Sequence, residues 1–175
     1  IEAGDSLSKL GTIEPARLQK LIVGRKLTEL PEVFSRAILE SLEAFNASGD
    51  PQMIDFLMDK ACFRDMAADA KASEDPFLVR LTDMLIDTAN LRILIRSRLL
   101  DKPGDFIRKA WVKGGSFSSK LFEEMENKGL DKLFEVLKSL GREKLAAELS
   151  EAIGKPDGIS EVEKILDDYI MHFLK

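Results

Sequence analysis

Few side chains in this 175-residue chain are equipped for chemistry. The single histidine, His172, lies beside Met171, Phe173 and Leu174 near the C-terminal end, and reads as the edge of a helix packing face, not as a base or a ligand. The single cysteine, Cys62, continues the apolar stripe of Ile54, Leu57, Met58 and Ala61, which predicts a buried, inert thiol. A nucleophilic thiolate needs a basic neighbour, and no histidine is near in sequence. One His and one Cys are too few for a structural zinc site. Asp55 and Asp59 share a helix face at i, i+4. That is half of a carboxylate di-metal arrangement, but no second set of acids or histidines matches it, so a solvated face is expected. Gly114-Gly115-Ser116 can offer backbone amides to an anion at a helix start, yet a plain helix-connecting turn needs the same residues and is the expectation. Neither the phosphate-loop nor the dinucleotide-fold glycine pattern is present. The residues therefore predict no catalytic site, no cofactor and no metal.

One polar group stands out for its surroundings. The segment Leu85 to Arg98 is largely apolar, and Asp87 and Asn90, three apart, interrupt it on one face. Buried polar groups require partners, so this pair can tie neighbouring helices together. Arg92 and Arg96 lie four apart on the same segment and are spaced to pair with acids of an adjacent helix. The plainer reading is an amphipathic helix with a polar stripe.

The elements that must position these residues are helices. Nearly every segment carries apolar residues at the helical period, and no run sustains period-two alternation. Thr12 is a candidate cap for a helix over 15–24, with Glu14 and Pro15 behind it. Pro31 opens a second helix, broken by Asn46-Ala47-Ser48-Gly49; Asp50-Pro51 starts a third, broken by Ser73 to Pro76. A long helix runs from there to about Leu100. Shorter helices follow over Asp105–Val112, from Ser118 or Ser119 to Met125, over Leu130–Leu140 and Glu143–Ile153, and from Ser160 to the end. The fold class is all-α.

Two internal matches suggest repeated helical-bundle units. Leu10-Gly11-Thr12-Ile13 parallels Gly114-Gly115-Ser116-Phe117, and Ile54 to Asp59 parallels Val162 to Asp167, at offsets of 104 and 108 residues. Same order and nearly equal offset point to a repeat of about 105 residues. The implied division is 1–30 as the tail of a first unit, 31–140 as a complete second and 141–175 as the start of a third, in a funnel-like array. A chain that starts at Ile1 inside such an array reads as a piece of a longer protein.

Composition sets the outer bounds. The chain is 45% hydrophobic and 33% charged, the balance of a folded protein, and its net charge of −5 excludes a global basic footprint for nucleic acid. No stretch approaches the roughly 20 apolar residues that cross a bilayer, and no signal peptide is visible. Charge is polarised: Glu29, Glu32, Glu40, Glu43, Asp50, Asp55 and Asp59 outnumber Arg36 over 29–59, whereas Lys and Arg dominate 76–113. Opposite poles suit a protein that docks charged partners at different places, or that draws its own parts together.

At the long helix the sequence resembles a known family. Asp87-Thr88-Ala89-Asn90-Leu91-Arg92-Ile93-Leu94-Ile95-Arg96, a short helix and then Gly114-Gly115-Ser116-Phe117 are similar to the C-subunit family of V-type and A-type rotary ATPases, whose eukaryotic member is the d subunit. That family carries Asp-x-x-Asn-Leu-x-x-x-x-Arg on a long helix, followed by a glycine turn, so the resemblance implies a structural polar cluster of Asp87, Asn90 and Arg96. Its preceding acidic-apolar helix is matched by Phe56 to Phe63, and Leu10 to Ile13 resembles the turn that closes the unit before. The resemblance covers most of 7–174, with its specific part at 54–63 and 87–117. Ile86 departs from it, standing where an acid is common.

The resemblance implies a funnel-shaped helical socket of three similar units, peripheral to the membrane on its cytoplasmic face, with the long helix 76–100 packed in a bundle with the helix 51–72. It would receive the foot of the central stalk and sit on the rotor ring, passing torque for proton or sodium transport without an active site. Its partners would be the proteins of the central stalk and of the rotor ring. A helical adaptor that takes partner helices in a groove is the alternative from another class. A helical enzyme with an unrecognised carboxylate site is the third.

Overall fold

Caps and breakers cut this chain into helices. In the computed structural model, which describes residues 11–117 and 129–175, the described residues form eight α-helices and no strand. These are α1 (Pro15–Val23), α2 (Glu32–Ser48), α3 (Gln52–Ala72), α4 (Pro76–Leu99), α5 (Gly104–Ala110), α6 (Leu130–Ser139), α7 (Glu143–Ile153) and α8 (Gly158–Phe173). The all-α expectation is met. The helix expected from Ser118 or Ser119 to Met125 lies outside the described residues, as does Leu10.

Local chemistry explains most of the boundaries. Asp75 accepts a hydrogen bond from Phe77 N at 2.8 Å and Pro76 follows at the first helical position, so α4 begins where its free amides are met. Asp50 does the same for Gln52 N at 3.0 Å ahead of α3. Gly49 closes α2 in the left-handed conformation at φ 69°, which costs a glycine nothing. Three expectations shift. The cap of α1 is Glu14, whose carboxylate accepts from Arg17 N at 3.2 Å, because Thr12 sits too far upstream. α5 stops at Ala110, since the extended Trp111 carries Val112 into hydrogen bonds with another helix. The last helix starts at Gly158, two residues before Ser160. A short 3-10 turn at Leu27–Glu29 adds an element that has no periodic signal to announce it.

The chain divides into two compact units, Ile1–Ala61 and Cys62–Lys175. The first has a small core of Leu21, Leu27 and Leu30, with Ile13, Leu18 and Ile38 packed against it. Ser35 Oγ donates to Leu27 O at 2.5 Å and so ties the start of α2 to the 3-10 turn.

The second unit is built around α4. Its Leu91, Leu94 and Ile95 join Ile107, Phe117, Leu133, Leu137, Leu145, Leu149, Val162 and Leu166 in one core. Each such side chain buried contributes about 1.5–3 kcal/mol. The main neighbours of α4 are α8 and α5, not the helix over 51–72 that the resemblance implies, while α7 packs on both α6 and α8. Periodicity shows that a face is apolar and not which face meets it.

Candidate functional site

The middle of α4 is buried on nearly all sides, so its polar residues cannot turn to water. Thr88 satisfies its hydroxyl within the helix, donating to Met84 O and Leu85 O at 3.0 Å. Asp87 and Asn90 reach outward. Asn90 Nδ2 donates to Val112 O and its Oδ1 accepts from Val112 N, both at 2.9 Å. One side-chain amide thus serves both backbone groups of an extended residue and anchors the strap after α5, where Ile107, Ala110, Trp111 and Val112 are all buried.

Asp87 is 1% exposed and fully engaged. Its Oδ1 accepts from Ser116 N at 2.8 Å; its Oδ2 accepts from Ser116 Oγ at 2.5 Å and from Arg142 Nη1 at 2.9 Å. Arg142 Nη2 also donates to Ser116 Oγ at 3.0 Å, and the guanidinium lies 5.4 Å from the centroid of the Phe117 ring. The three residues close a ring of charge-assisted bonds that joins α4, the glycine turn and the start of α7. The backbone amide of the 114–116 turn does take an anion, and the anion is the protein's own carboxylate. Gly115 is at φ 73°, and a Cβ there would stand 2.3 Å from Asp87 Oδ1, so only glycine lets the turn approach this closely.

Arg92 holds the opposite flank. Its Nε donates to Glu163 Oε2 at 2.7 Å and its Nη2 to Asp167 Oδ1, clamping two acids one turn apart on α8. Arg96 is exposed. The structure thus brings Asp87 and Asn90 onto the surface that holds the 112–116 segment, and leaves Arg96 outside. Arg142 is the cation that meets Asp87. Spacing along α4 carries no sign of it, because it lies 55 positions away. A Gly141-Arg142 pair just before a helix is the only local hint.

The residues considered for chemistry are dispersed. His172 is exposed, its Nδ1 2.8 Å from Asp168 O. Cys62 is exposed, contrary to the buried thiol that its apolar neighbours suggest, because α3 buries only Ala61 and Ala70 along its length. Burial and the nearby Asp55 charge push the Asp59 carboxyl above its ordinary value, the former effect being the larger. Among the described residues no group of His, Cys, Asp and Glu is arranged to hold a metal ion, and no helix is long and apolar enough to cross a membrane. With three donors on Asp87, this constellation locks helices together.

Comparison with curated proteins and with solved structures gives no significant match. The family model described as ATP synthase (C/AC39) subunit matches residues 2–175. It spans nearly the whole chain, including the α4 segment and the glycine turn that Asp87 locks together, and the chain therefore belongs to the C/AC39 family of V-type and A-type ATPase subunits.

Proposed function

We propose that the chain acts as a central-stalk connector. It would join the rotating stalk of the ATP-driven head to the membrane rotor ring, from the cytoplasmic face and without a bilayer span, for proton or sodium transport. The match of the family model over 2–175 carries this reading. The polar residues support it from another side: Asp87, Ser116, Arg142, Asn90 and Arg92 are spent on joining helices. A part that transmits torque must resist shear between its helices, and arginines that each bridge two partners, with buried backbone bonds, supply directional resistance that apolar contact lacks. Asp87, Asn90 and Arg142 act as structural ties in this reading, with partner contacts elsewhere on the surface.

The test is affinity purification of the tagged protein from its own detergent-solubilised membranes, with the retained proteins identified by mass spectrometry. Proteins of the central stalk and of the rotor ring are the expected company. Recovery of the assembled complex without contact to either, as read by cross-linking, overturns the reading. The adaptor alternative draws on one observation, an apolar cleft in the first unit.

A further inference from the structure

In the second unit, α5 and the strap that follows it turn a basic face outward. Between Arg96 and Lys113 six Lys and Arg stand against Asp101 and Asp105, a local net charge of +4 in a chain of net −5, so the rest of the chain carries −9. Burial decides where the cations of α5 point. Ile107 and Ala110, 1% and 2% exposed, face the core, which leaves Asp105, Arg108 and Lys109 on the outer side of the helix. The peptide N–H of Lys102 donates to Ser97 O at 2.8 Å, so the chain turns back at the end of α4 before α5 begins. The Lys102 ammonium lies 5.4 Å from the centroid of the Phe106 ring, on α5 itself. Beyond α5, Asn90 holds Val112 against α4, and Lys113 follows it into solvent.

Little of this charge is cancelled nearby. Arg108 Nε stands 3.9 Å from Asp105 Oδ1 with both side chains largely exposed, a pairing that contributes almost nothing. No ion pair among the described residues falls on Lys109 or Lys113. The helix is about 10 Å long, which is about one Debye length at physiological salt. Lys102, Arg108, Lys109 and Lys113 therefore act on an approaching surface as one field. The acids that make the chain negative lie elsewhere in the sequence, over 29–59 above all, and charges farther off than a Debye length are screened.

We propose that the α5 face binds the phosphate headgroups of an anionic lipid surface. The Arg108 guanidinium forks onto phosphate oxygens, and Lys102, Lys109 and Lys113 add point charges around it. Leu100, 49% exposed at the turn before Lys102, offers an apolar side chain to the headgroup boundary. Each cation near an anionic surface strengthens binding about fivefold. Together they give a reversible, salt-sensitive attachment that orients an otherwise acidic protein with this face to the lipid. The charge argument stands on the structure alone; the choice of a lipid surface over an acidic protein rests on the connector reading, which sets the chain at a membrane face.

The probe is a vesicle of mixed phosphatidylcholine and phosphatidylglycerol, with pure phosphatidylcholine as its neutral counterpart, and binding of the purified protein is read by co-flotation across a lipid titration. Binding to the mixed vesicles alone is expected, weakening several-fold as salt rises to the physiological range. Arg108→Gln/Lys109→Gln should weaken it about twentyfold, and Lys113→Gln about fivefold. All three side chains are exposed, so these variants keep the fold, which circular dichroism verifies. Lys20→Gln/Lys26→Gln removes the same charge from exposed positions of the first unit and should bind as the parent does. No binding to the mixed vesicles overturns the proposal. So does equal binding to the neutral ones, or an equal loss from the Lys20→Gln/Lys26→Gln protein, which marks net charge and not this face. Tighter binding to poly-glutamate than to the mixed vesicles, lost in Arg108→Gln/Lys109→Gln, assigns the face to an acidic protein and overturns it too. A protein that retains the stalk and rotor proteins on purification yet ignores the vesicles leaves the connector reading standing and this inference refuted; vesicle binding without those proteins does the reverse.

Discussion

Asp87 is the residue on which most of the polar structure converges. A carboxylate that is 1% exposed has left nearly all its water behind, and three donors replace it. Arg142 supplies the countercharge while its own side chain stays 19% exposed. The asymmetry decides what happens when one partner goes. Arg142→Met leaves a buried charge with only the Ser116 donors, and stability should fall by about 3–5 kcal/mol in denaturant unfolding. A loss below about 1 kcal/mol would mean that water reaches the carboxylate. Gly115→Ala attacks the same lock from the backbone. The left-handed φ of 73° costs an alanine about 1 kcal/mol, and the new methyl collides with an Asp87 oxygen pinned by Ser116. A total loss of about 2 kcal/mol or more is expected, and Gly49→Ala, left-handed at φ 69° with open space around it, should show the conformational part alone.

At the scale of elements, α3 and α8 show one pattern used in two ways. On α8 the acids at i and i+4 are paired with Arg92; on α3 the acids face each other's field, and the Asp59 carboxyl is raised by burial and then by Asp55. A folded-state carboxyl above its unfolded value binds more protons in the native state, so its contribution to stability falls as pH rises from the ordinary carboxylate range through the raised value. Asp59→Asn should therefore stabilise the protein near neutral pH, by no more than about 1 kcal/mol because the site is open to solvent screening. The gain should vanish below pH ~4, where the unfolded aspartate is also protonated. Thermal melts of the two proteins across pH 3 to 8 check this, and a gain that persists in acid rules the explanation out. Elsewhere the element scale is governed by caps, with Asp75 and Pro76 opening α4 and Gly49 closing α2.

Across the whole molecule, the two compact units differ in how much they bury. The second has a continuous core from α4 to α8, and the first has three buried leucines and an open cleft. Local stability follows buried apolar contact. Amide hydrogen exchange should be slowest in α4, α7 and α8 and markedly faster in α1 and α2. Leu149→Ala, at a fully buried site, should cost about 2–5 kcal/mol and speed exchange across α6–α8. Equal protection in the two units would contradict this reading of the cores.

The all-helical class and most helix boundaries are written in local sequence. Period, caps and glycines act within a few residues, so Asp75-Pro76, Gly49 and the apolar spacing of α4 announce themselves. That the chain holds one His and one Cys is likewise a property of composition. Asp87 and Asn90 are also legible as polar residues in an apolar stretch that must find partners. Which partners they find is decided only by tertiary structure. Arg142 and Val112 arrive from 55 and 22 positions away, and Asp87 takes Arg142 while Arg96, on its own helix, stays in solvent. Cys62 defeats the local reading for the same reason: an apolar stripe has to be covered to be buried, and the cover comes from elsewhere in the fold.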